Sequence, residues 1–278
     1  MPATLVTGSS RGIGRAIAER FARDGYDVAV NYVESAQQAR AVADAIESET
    51  DAEAIAVRAN VADPDDAADL VDAAVEAFGG LDHVVNNAGI DQHVHTDELS
   101  PADFDRVMDV NVNGAFNVTK AALPHLRESA AASDASDAAA DSGGEPAADS
   151  RDESATDSGA GADPAPTPSV TNVSSILAYT GAPIECHYAA SKAGLLGLTK
   201  SHAGDFAPEV RVNAVAPGHV ETDMTADRTE AEKREEMAAI PVERFGQPED
   251  IADAVAYLRD AGFVTGETLN VNGGELMR

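Results

Sequence analysis

Short runs rich in β-branched residues alternate along this chain with stretches whose apolar residues recur about every 3.6 positions. Residues 3–7, 27–31, 54–58, 83–86, 170–173, 210–215 and 268–271 read as seven strands. Between them Ile13, Ile17 and Phe21 form one helical stripe, and Leu70, Val71, Ala74, Val75 and Phe78 form another. Such alternation predicts an α/β domain: parallel strands joined by right-handed helical crossovers, with helices on both faces of the sheet.

One segment interrupts the pattern. Residues 129–169 hold 13 Ala, 8 Ser and 7 Asp among 41 residues, with no Val, Ile, Leu, Met or aromatic side chain. One Arg against nine acids gives the segment a charge of −8, and a stretch this polar is expected to form no core. It is expected to be a disordered acidic insertion within a single domain spanning residues 1–278, its alanines forming only transient helix. Because it follows a helix and precedes the fifth strand, it should emerge at the N-terminal edge of the sheet, away from the edge that carries ligands in such folds.

Charge narrows the classes of partner. With 49 Asp and Glu against 19 Lys and Arg the formal charge is −30, which repels a phosphate backbone and argues against nucleic acid. Only four of the basic residues are Lys, and the acids are spread along the whole chain. This composition resembles that of proteins from salt-accumulating cells, where about 1 M salt shortens the screening length to roughly 3 Å and removes the self-repulsion. A halophilic, cytoplasmic protein is the expectation. No run of eighteen apolar residues and no signal-like N-terminus is present, so no membrane span is expected. Cys186 is the only cysteine, which rules out an intramolecular disulfide, and it reads as a small spacer rather than a nucleophile. His93-x-His95 has a metal-like look, but no third ligand is evident and no metal is expected.

The first strand runs into Thr7-Gly8-Ser9-Ser10-Arg11-Gly12-Ile13-Gly14 and a helix follows at once. Glycines in this context permit a tight turn and close backbone approach to a pyrophosphate, whose charge the helix N-terminus attracts. Further landmarks follow in order: Asn86-Asn87-Ala88-Gly89 closing the fourth strand, Asn111, Ser175, Tyr188-x3-Lys192, and Pro217-Gly218 after the sixth strand. The spacing Gly8-x3-Gly12-x-Gly14 and this series resemble the short-chain dehydrogenase/reductase family over everything but the insertion. Residues 212–225 and 265–274 look most like its 3-oxoacyl-[acyl-carrier-protein] reductase branch. The resemblance implies a Rossmann-type doubly wound parallel sheet of seven strands.

Tyr188 and Lys192 stand one helical turn apart and so share a face. A phenol of pKa about 10 holds its proton too firmly to act as a base near neutrality, whereas a neighbouring ammonium and a positive nicotinamide favour the phenolate. The resemblance makes Tyr188 the general acid in reduction and the base in oxidation. It has Ser175 hold the substrate oxygen, Lys192 bond the nicotinamide ribose, and Asn111 hold a water linking Lys192 to solvent.

For the cofactor the resemblance selects Gly8, Ser10, Arg11, Gly12, Ile13 and Gly14 in the turn, and Asn31, Tyr32 and Ser35 past the second strand. It adds Asn60 and Val61 near the adenine, Asn87, Ala88 and Gly89, Tyr188 and Lys192, and Pro217, Gly218, Val220 and Thr222. Tyr32 occupies the place where NAD-preferring relatives carry Asp, a carboxylate that would bond a 2′-hydroxyl and repel a 2′-phosphate. With Arg11 to supply a cation and Ser35 a hydroxyl, NADP is expected in preference to NAD; Glu34 lies close enough to weigh the other way.

The resemblance also implies a homotetramer and a lid, here about residues 221–241 with an exposed helix over residues 229–239. Arg127 matches a basic carrier-docking position, but Gly204 stands where a second docking Arg is usual, which weighs against an acyl-carrier-protein partner. A coenzyme A thioester or a small ketone is then at least as well supported. His219, after Pro217-Gly218, is a candidate for the substrate mouth. The expected function is NADPH-dependent reduction of a 3-oxoacyl thioester. The alternatives are a sugar, polyol or other alcohol dehydrogenase of the same fold, or a non-catalytic cofactor-binding regulator, against which the intact Ser175, Tyr188 and Lys192 weigh.

Overall fold

The computed structural model describes residues 1–141, 167–222 and 229–277. Its strands are β1 (Ala3–Val6), β2 (Asp27–Tyr32), β3 (Ala54–Arg58), β4 (His83–Asn86), β5 (Ser169–Val173), β6 (Arg211–Pro217) and β7 (Thr268–Val271). They form one sheet in the order β3-β2-β1-β4-β5-β6-β7, every neighbouring pair parallel. The order reverses between β1 and β4, and in such sheets ligands bind in the crevice at the strand C-termini of that point. The expected seven-stranded doubly wound fold is the one observed, with strand ends moved by one or two residues.

The helices are α1 (Gly12–Arg23), α2 (Ala36–Glu49), α3 (Pro64–Phe78), α4 (Pro101–Met108), α5 (Gly114–Asp141), α6 (Leu177–Thr180), α7 (Cys186–Phe206), α8 (Glu230–Ala239) and α9 (Pro248–Asp260). A π turn, Asp109–Asn113, joins α4 to α5. Strand side chains alternate between two cores, as the pleat requires. On one face Val6, Val28, Val30 and Val85 pack with Ile17 and Phe21 of α1, Val42 and Ile46 of α2, and Ile251 and Val255 of α9. On the other, Leu5, Ala29, Val84 and Val170 pack with Leu70 and Val71 of α3, Val118 and Leu126 of α5, and Phe206 of α7. Each fully buried Leu, Ile or Phe contributes about 1.5–3 kcal/mol of transfer free energy. The α1 stripe read from the sequence is thus the face that holds the glycine turn against the sheet.

The segment from residue 129 departs from expectation at both ends. Helix α5 continues through Asp141, Ala130 is buried, and the Ser129 hydroxyl donates to Asp82 at the start of β4. Alanine has the highest helix propensity, and extending an existing helix avoids the cost of nucleation, so a run without large apolar residues prolongs α5. Ser169, at the other end, is buried in β5. Its register with His83 and Arg211 places the return at the strand N-termini, as the order of elements implied. The rest of the expected insertion, residues 142–166, lies outside the described residues, as do residues 223–228 of the expected lid. Residues 230–239 form the anticipated helix, α8. No helix among the described residues is long and apolar enough to cross a membrane.

Candidate active site

The glycine turn is built by backbone geometry. Gly8 and Gly12 adopt φ of +62° and +56°, a region that disfavours any side chain. A Cβ on Gly8 would fall 2.9 Å from Cα of Ala88, and one on Gly14 would fall 2.6 Å from the carbonyl oxygen of Gly8. Arg11, extended, begins α1 and its own side chain does not cap the helix. The turn is stitched to the loop after β4. Asn87 Nδ2 donates to the carbonyls of Thr7 (2.9 Å) and Gly8 (3.0 Å), and Thr7 Oγ1 accepts from the N–H groups of Asn87 and Ala88 (3.0 Å each). Gly8, Gly12, Gly14, Asn87 and Ala88 therefore meet where β1 and β4 diverge, with Ser10 and Ile13 in the same turn. Thr222 comes close to Gly12 from the far side: a Cβ there would lie 3.7 Å from it.

Past β2 the roles differ from expectation. Asn31 is buried; it accepts from the N–H of Gly8 at 3.0 Å and donates to the carbonyls of Ala59 (3.1 Å) and Val57 (3.4 Å). Its amide is used up in bracing the glycine turn, so it shapes the cofactor cradle from behind instead of facing a ligand. Tyr32 ends β2 and Ser35 precedes α2, with Val33 and the exposed Glu34 between them. Arg58, paired in register with Tyr32, donates from Nε to the carbonyl of Val33 at 3.1 Å and is exposed. The sequence reading passed over this guanidinium, although a basic residue closing an otherwise apolar strand was its signal. Asn60 is exposed and accepts from Ala62 N at 3.3 Å, while Val61 is buried, packed where a Cβ on Gly114 would clash at 2.7 Å.

Helix α7 presents Tyr188 and Lys192 on one face, with Lys192 Nζ 5.5 Å from the centre of the Tyr188 ring. Ser175, after β5, accepts from Leu177 N through Oγ at 3.1 Å and stands close enough to the Tyr188 phenol to lower its pKa. Lys192 is buried and donates to the carbonyl of Val173 at 2.7 Å. Gly89 leaves room for this amine: a Cβ there would stand 3.4 Å from both Lys192 Nζ and Asn111 Oδ1. Asn111, in the π turn, donates to the carbonyl of Ile90 and to Ser191 Oγ (2.9 Å each) and accepts from Ile90 N at 2.8 Å. Its side chain thus ties the loop after Gly89 to α7, so a water bound there would have to be held by another part of the residue.

Burial and neighbouring charge set the protonation of this pair. Burial, then the carboxylates of Asp91 and Glu185, push the Tyr188 phenol above its ordinary value, with the Ser175 hydroxyl acting the other way. Burial lowers the Lys192 ammonium to about 8, and Asp91 opposes that fall. The amine lies beneath the ring and bonds a carbonyl, while burial and two carboxylates raise the phenol. The ammonium alone therefore does not favour a phenolate, and the charge of a nicotinamide is the part of the expectation that remains. What this arrangement favours is a protonated phenol, the form a proton donor needs.

Those carboxylates belong to a trio absent from the sequence reading. Glu185 N-terminally flanks α7, and His93 Nε2 lies 2.7 Å from its Oε1 and 3.8 Å from Asp91 Oδ2. The two loops are joined by Val94 N donating to the carbonyl of Ile184 (2.7 Å) and Thr96 Oγ1 to Cys186 Sγ (3.4 Å). So His93 has acidic partners that sequence spacing could not reveal, since Glu185 lies far along the chain. His95 is not among them.

Pro217 ends β6 and Gly218 follows, where a Cβ would lie 2.7 Å from that of Asn272. Val220 is buried and bridges to Gly246. His219 Nδ1 is 2.9 Å from Glu275 Oε1, its ring stacks on Phe245, and it lines a cavity of about 410 Å³ whose walls include neither Ser175 nor Tyr188. A buried relay also escaped the sequence reading. Asn86 Nδ2 donates to Thr119 Oγ1 and Asn172 Oδ1, and Asn172 Nδ2 to Thr199 Oγ1 (2.9 Å each). Ser174 Oγ donates to the carbonyl of Lys192 at 2.8 Å. These bonds fix β4, β5, α5 and α7 against one another and so set the height of Tyr188 above Ser175. Polar residues interrupting the β-branched run of β5 were the signal.

The family description short chain dehydrogenase matches residues 2–133, and that of Enoyl-(Acyl carrier protein) reductase matches residues 163–275. The chain is 38% identical over 277 residues to the 3-oxoacyl-[acyl-carrier-protein] reductase FabG of Staphylococcus aureus strain Mu50, covering 98% of this chain and 97% of that one. It is 34% identical over 275 residues to glucose 1-dehydrogenase 2 of Bacillus subtilis strain 168, covering 97% and 93%. A short chain dehydrogenase from Burkholderia cenocepacia J2315, solved in complex with NADP, superposes with a TM-score of 0.80 at 35% identity, covering 99% of this chain and 97% of that one.

Proposed function

The chain belongs to the short-chain dehydrogenase/reductase family, and from that premise we propose that it reduces a 3-oxoacyl thioester to the 3-hydroxyacyl form with NADPH. The observation that carries the reading is the Ser175–Tyr188 hydroxyl pair above buried Lys192, beside a glycine cradle at the strand C-termini. In this reading the two hydroxyls hold the ketone oxygen, and Tyr188, protonated, gives its proton to that oxygen as negative charge develops there. The nicotinamide, when bound, supplies the hydride to the carbonyl carbon. Lys192 holds the nicotinamide ribose and returns a proton toward Tyr188; Asn111 positions Lys192 through the Ile90 loop and Ser191.

The cradle fits a dinucleotide: side chains at Gly8, Gly12 and Gly14 are excluded by φ or by contact, and the Arg11 side chain does not cap the start of α1. Ser10, Arg11 and Ile13 would flank the pyrophosphate, Asn60 and Val61 the adenine, and Pro217, Gly218, Val220 and Thr222 the nicotinamide end. NADP is preferred over NAD because Tyr32 leaves no carboxylate to repel a 2′-phosphate, and Arg58 and Arg11 offer cations near it. The NADP-bound relative supports the same choice.

Exposed Gly204 offers no docking cation, so a coenzyme A thioester or a small ketone stands level with an acyl-carrier-protein substrate despite the likeness to FabG. A cytoplasmic homotetramer working at high salt is carried forward from the family resemblance and the acidic composition. The second reading, sugar or polyol oxidation, rests on the likeness to a glucose dehydrogenase and on the polar trio beside Tyr188. Steady-state rates at high KCl separate the two. NADPH oxidation with acetoacetyl-CoA is expected to exceed both the same assay with NADH and NADP reduction with glucose, and faster glucose oxidation would overturn the thioester reading.

A further inference from the structure

The rim over the catalytic pair is charged in one sense. Glu185 is the residue that immediately precedes α7, three positions ahead of Tyr188. Asp91 follows Gly89 and Ile90, the stretch clamped to Asn111 and packed against Lys192. His93 spans between the acids, and the ligand-type atoms of all three fall within 4.8 Å of one another. Whichever charge the imidazole carries, two carboxylates leave the trio net negative. Hydrogen bonds between the loops hold it in place: Val94 N to the carbonyl of Ile184, and Thr96 to Cys186. Lys192 is buried, its Nζ 5.5 Å from the centre of the Tyr188 ring, and it donates to the carbonyl of Val173, whereas Asp91, His93 and Glu185 are partly or largely exposed.

We propose that Asp91 and Glu185 select the substrate by charge, admitting a ketone whose near neighbours are neutral and refusing one that bears a carboxylate within two or three carbon atoms of the reacting carbon. Like charges brought together in a partly desolvated site are strongly unfavourable, and the cost falls on the approach of the substrate as well as on the oxyanion that forms. The inference rests on the thioester reading above and sharpens it: the substrate is the neutral thioester, and the corresponding free 3-oxo acid is excluded. The field at Tyr188 agrees, because the same two carboxylates raise the phenol.

Two ketones with the same reacting carbonyl and different charge provide the test, the change of their ratio in the variants being the readout: the N-acetylcysteamine thioester of acetoacetate, which is neutral, and acetoacetate itself. Both are assayed with NADPH at one fixed KCl concentration, with EDTA present so that no cation masks the acids. Wild-type kcat/KM for the thioester is expected to exceed that for acetoacetate by roughly 100-fold or more, and Asp91→Asn with Glu185→Gln to narrow that ratio at least tenfold. Glu185→Lys is expected to raise kcat/KM for acetoacetate about tenfold, a gain that impaired folding does not produce. An unchanged ratio and no gain in variants that still bind NADPH would overturn the charge selection alone, whereas a wild-type preference for acetoacetate would overturn the thioester reading with it. A wild-type enzyme that reduces neither ketone overturns the thioester reading and this inference with it.

Discussion

The cofactor cradle and the substrate rim meet at Tyr188, yet they are made in different ways. The cradle is backbone: glycines at positive φ, a helix start that the Arg11 side chain does not cap, and Asn87, Thr7 and Asn31 bonding main-chain groups. The rim is side chain: Asp91, His93 and Glu185, partly or largely exposed and drawn from two loops. Backbone geometry tolerates few substitutions and suits a ligand shared by many enzymes, whereas exposed side chains can be exchanged without disturbing the fold. Generic chemistry is therefore built into the first region, and selectivity into the second.

The sharpest way to break this division is at the residue where the regions join. Tyr188→Phe removes the proton donor and keeps the ring over Lys192, so turnover is expected to fall roughly 100- to 10,000-fold. NADPH binding, measured by fluorescence titration, should be nearly unchanged because the cradle is untouched. Activity within a few-fold of wild type would mean that proton transfer takes another route.

A smaller but still large effect is expected inside the cradle. In Gly14→Ala the new methyl group would lie 2.6 Å from the Gly8 carbonyl oxygen and closer still to the Asn87 amide. Neither neighbour can retreat, since Asn87 is held by Thr7 and Gly8. Overpacking of this kind costs about 1–3 kcal/mol. If the turn shifts to relieve it, NADPH affinity should drop roughly 10- to 100-fold. The ratio of rates on different ketones at saturating NADPH should stay put. A change in that ratio with cofactor affinity intact would show that the two regions are not separable.

The same division explains what could be read from the sequence. The strands were legible because β-branched runs have few other uses, and the glycine turn because a positive φ beside a helix start demands glycine. The helix at residues 129–141 was not, since a lack of large apolar residues was taken for lack of structure when alanine favours helix on its own. Asn31 was assigned to the cofactor because a polar residue at a strand end can face a ligand or bond the backbone, and only its partners, Gly8, Val57 and Ala59, decide between these. The rim was invisible for a different reason: Asp91 and His93 meet Glu185 through loop packing, which has no period. The contribution of Asp91 and Glu185 to the Tyr188 phenol was hidden for the same reason, because spacing revealed the ammonium and not the two carboxylates.

The smallest expected effect probes the rim through its field. Lys192, lowered to about 8 by burial, is the first of the catalytic pair to lose its proton as pH rises, since the phenol is pushed upward. The profile of kcat/KM for NADPH, which reports the uncomplexed enzyme, should therefore be level below pH 8 and decline above it. Asp91 favours the ammonium, so Asp91→Asn stabilises the neutral amine relative to wild type and lowers its pKa. The alkaline limb should then move toward neutrality by roughly half a pH unit. Lys192→Arg, which cannot lose its charge in this range, should remove that limb altogether whatever its absolute rate. A limb that stays in place in Asp91→Asn would place the acid too far from Lys192 to act on it, and would confine its influence to the substrate side of the phenol.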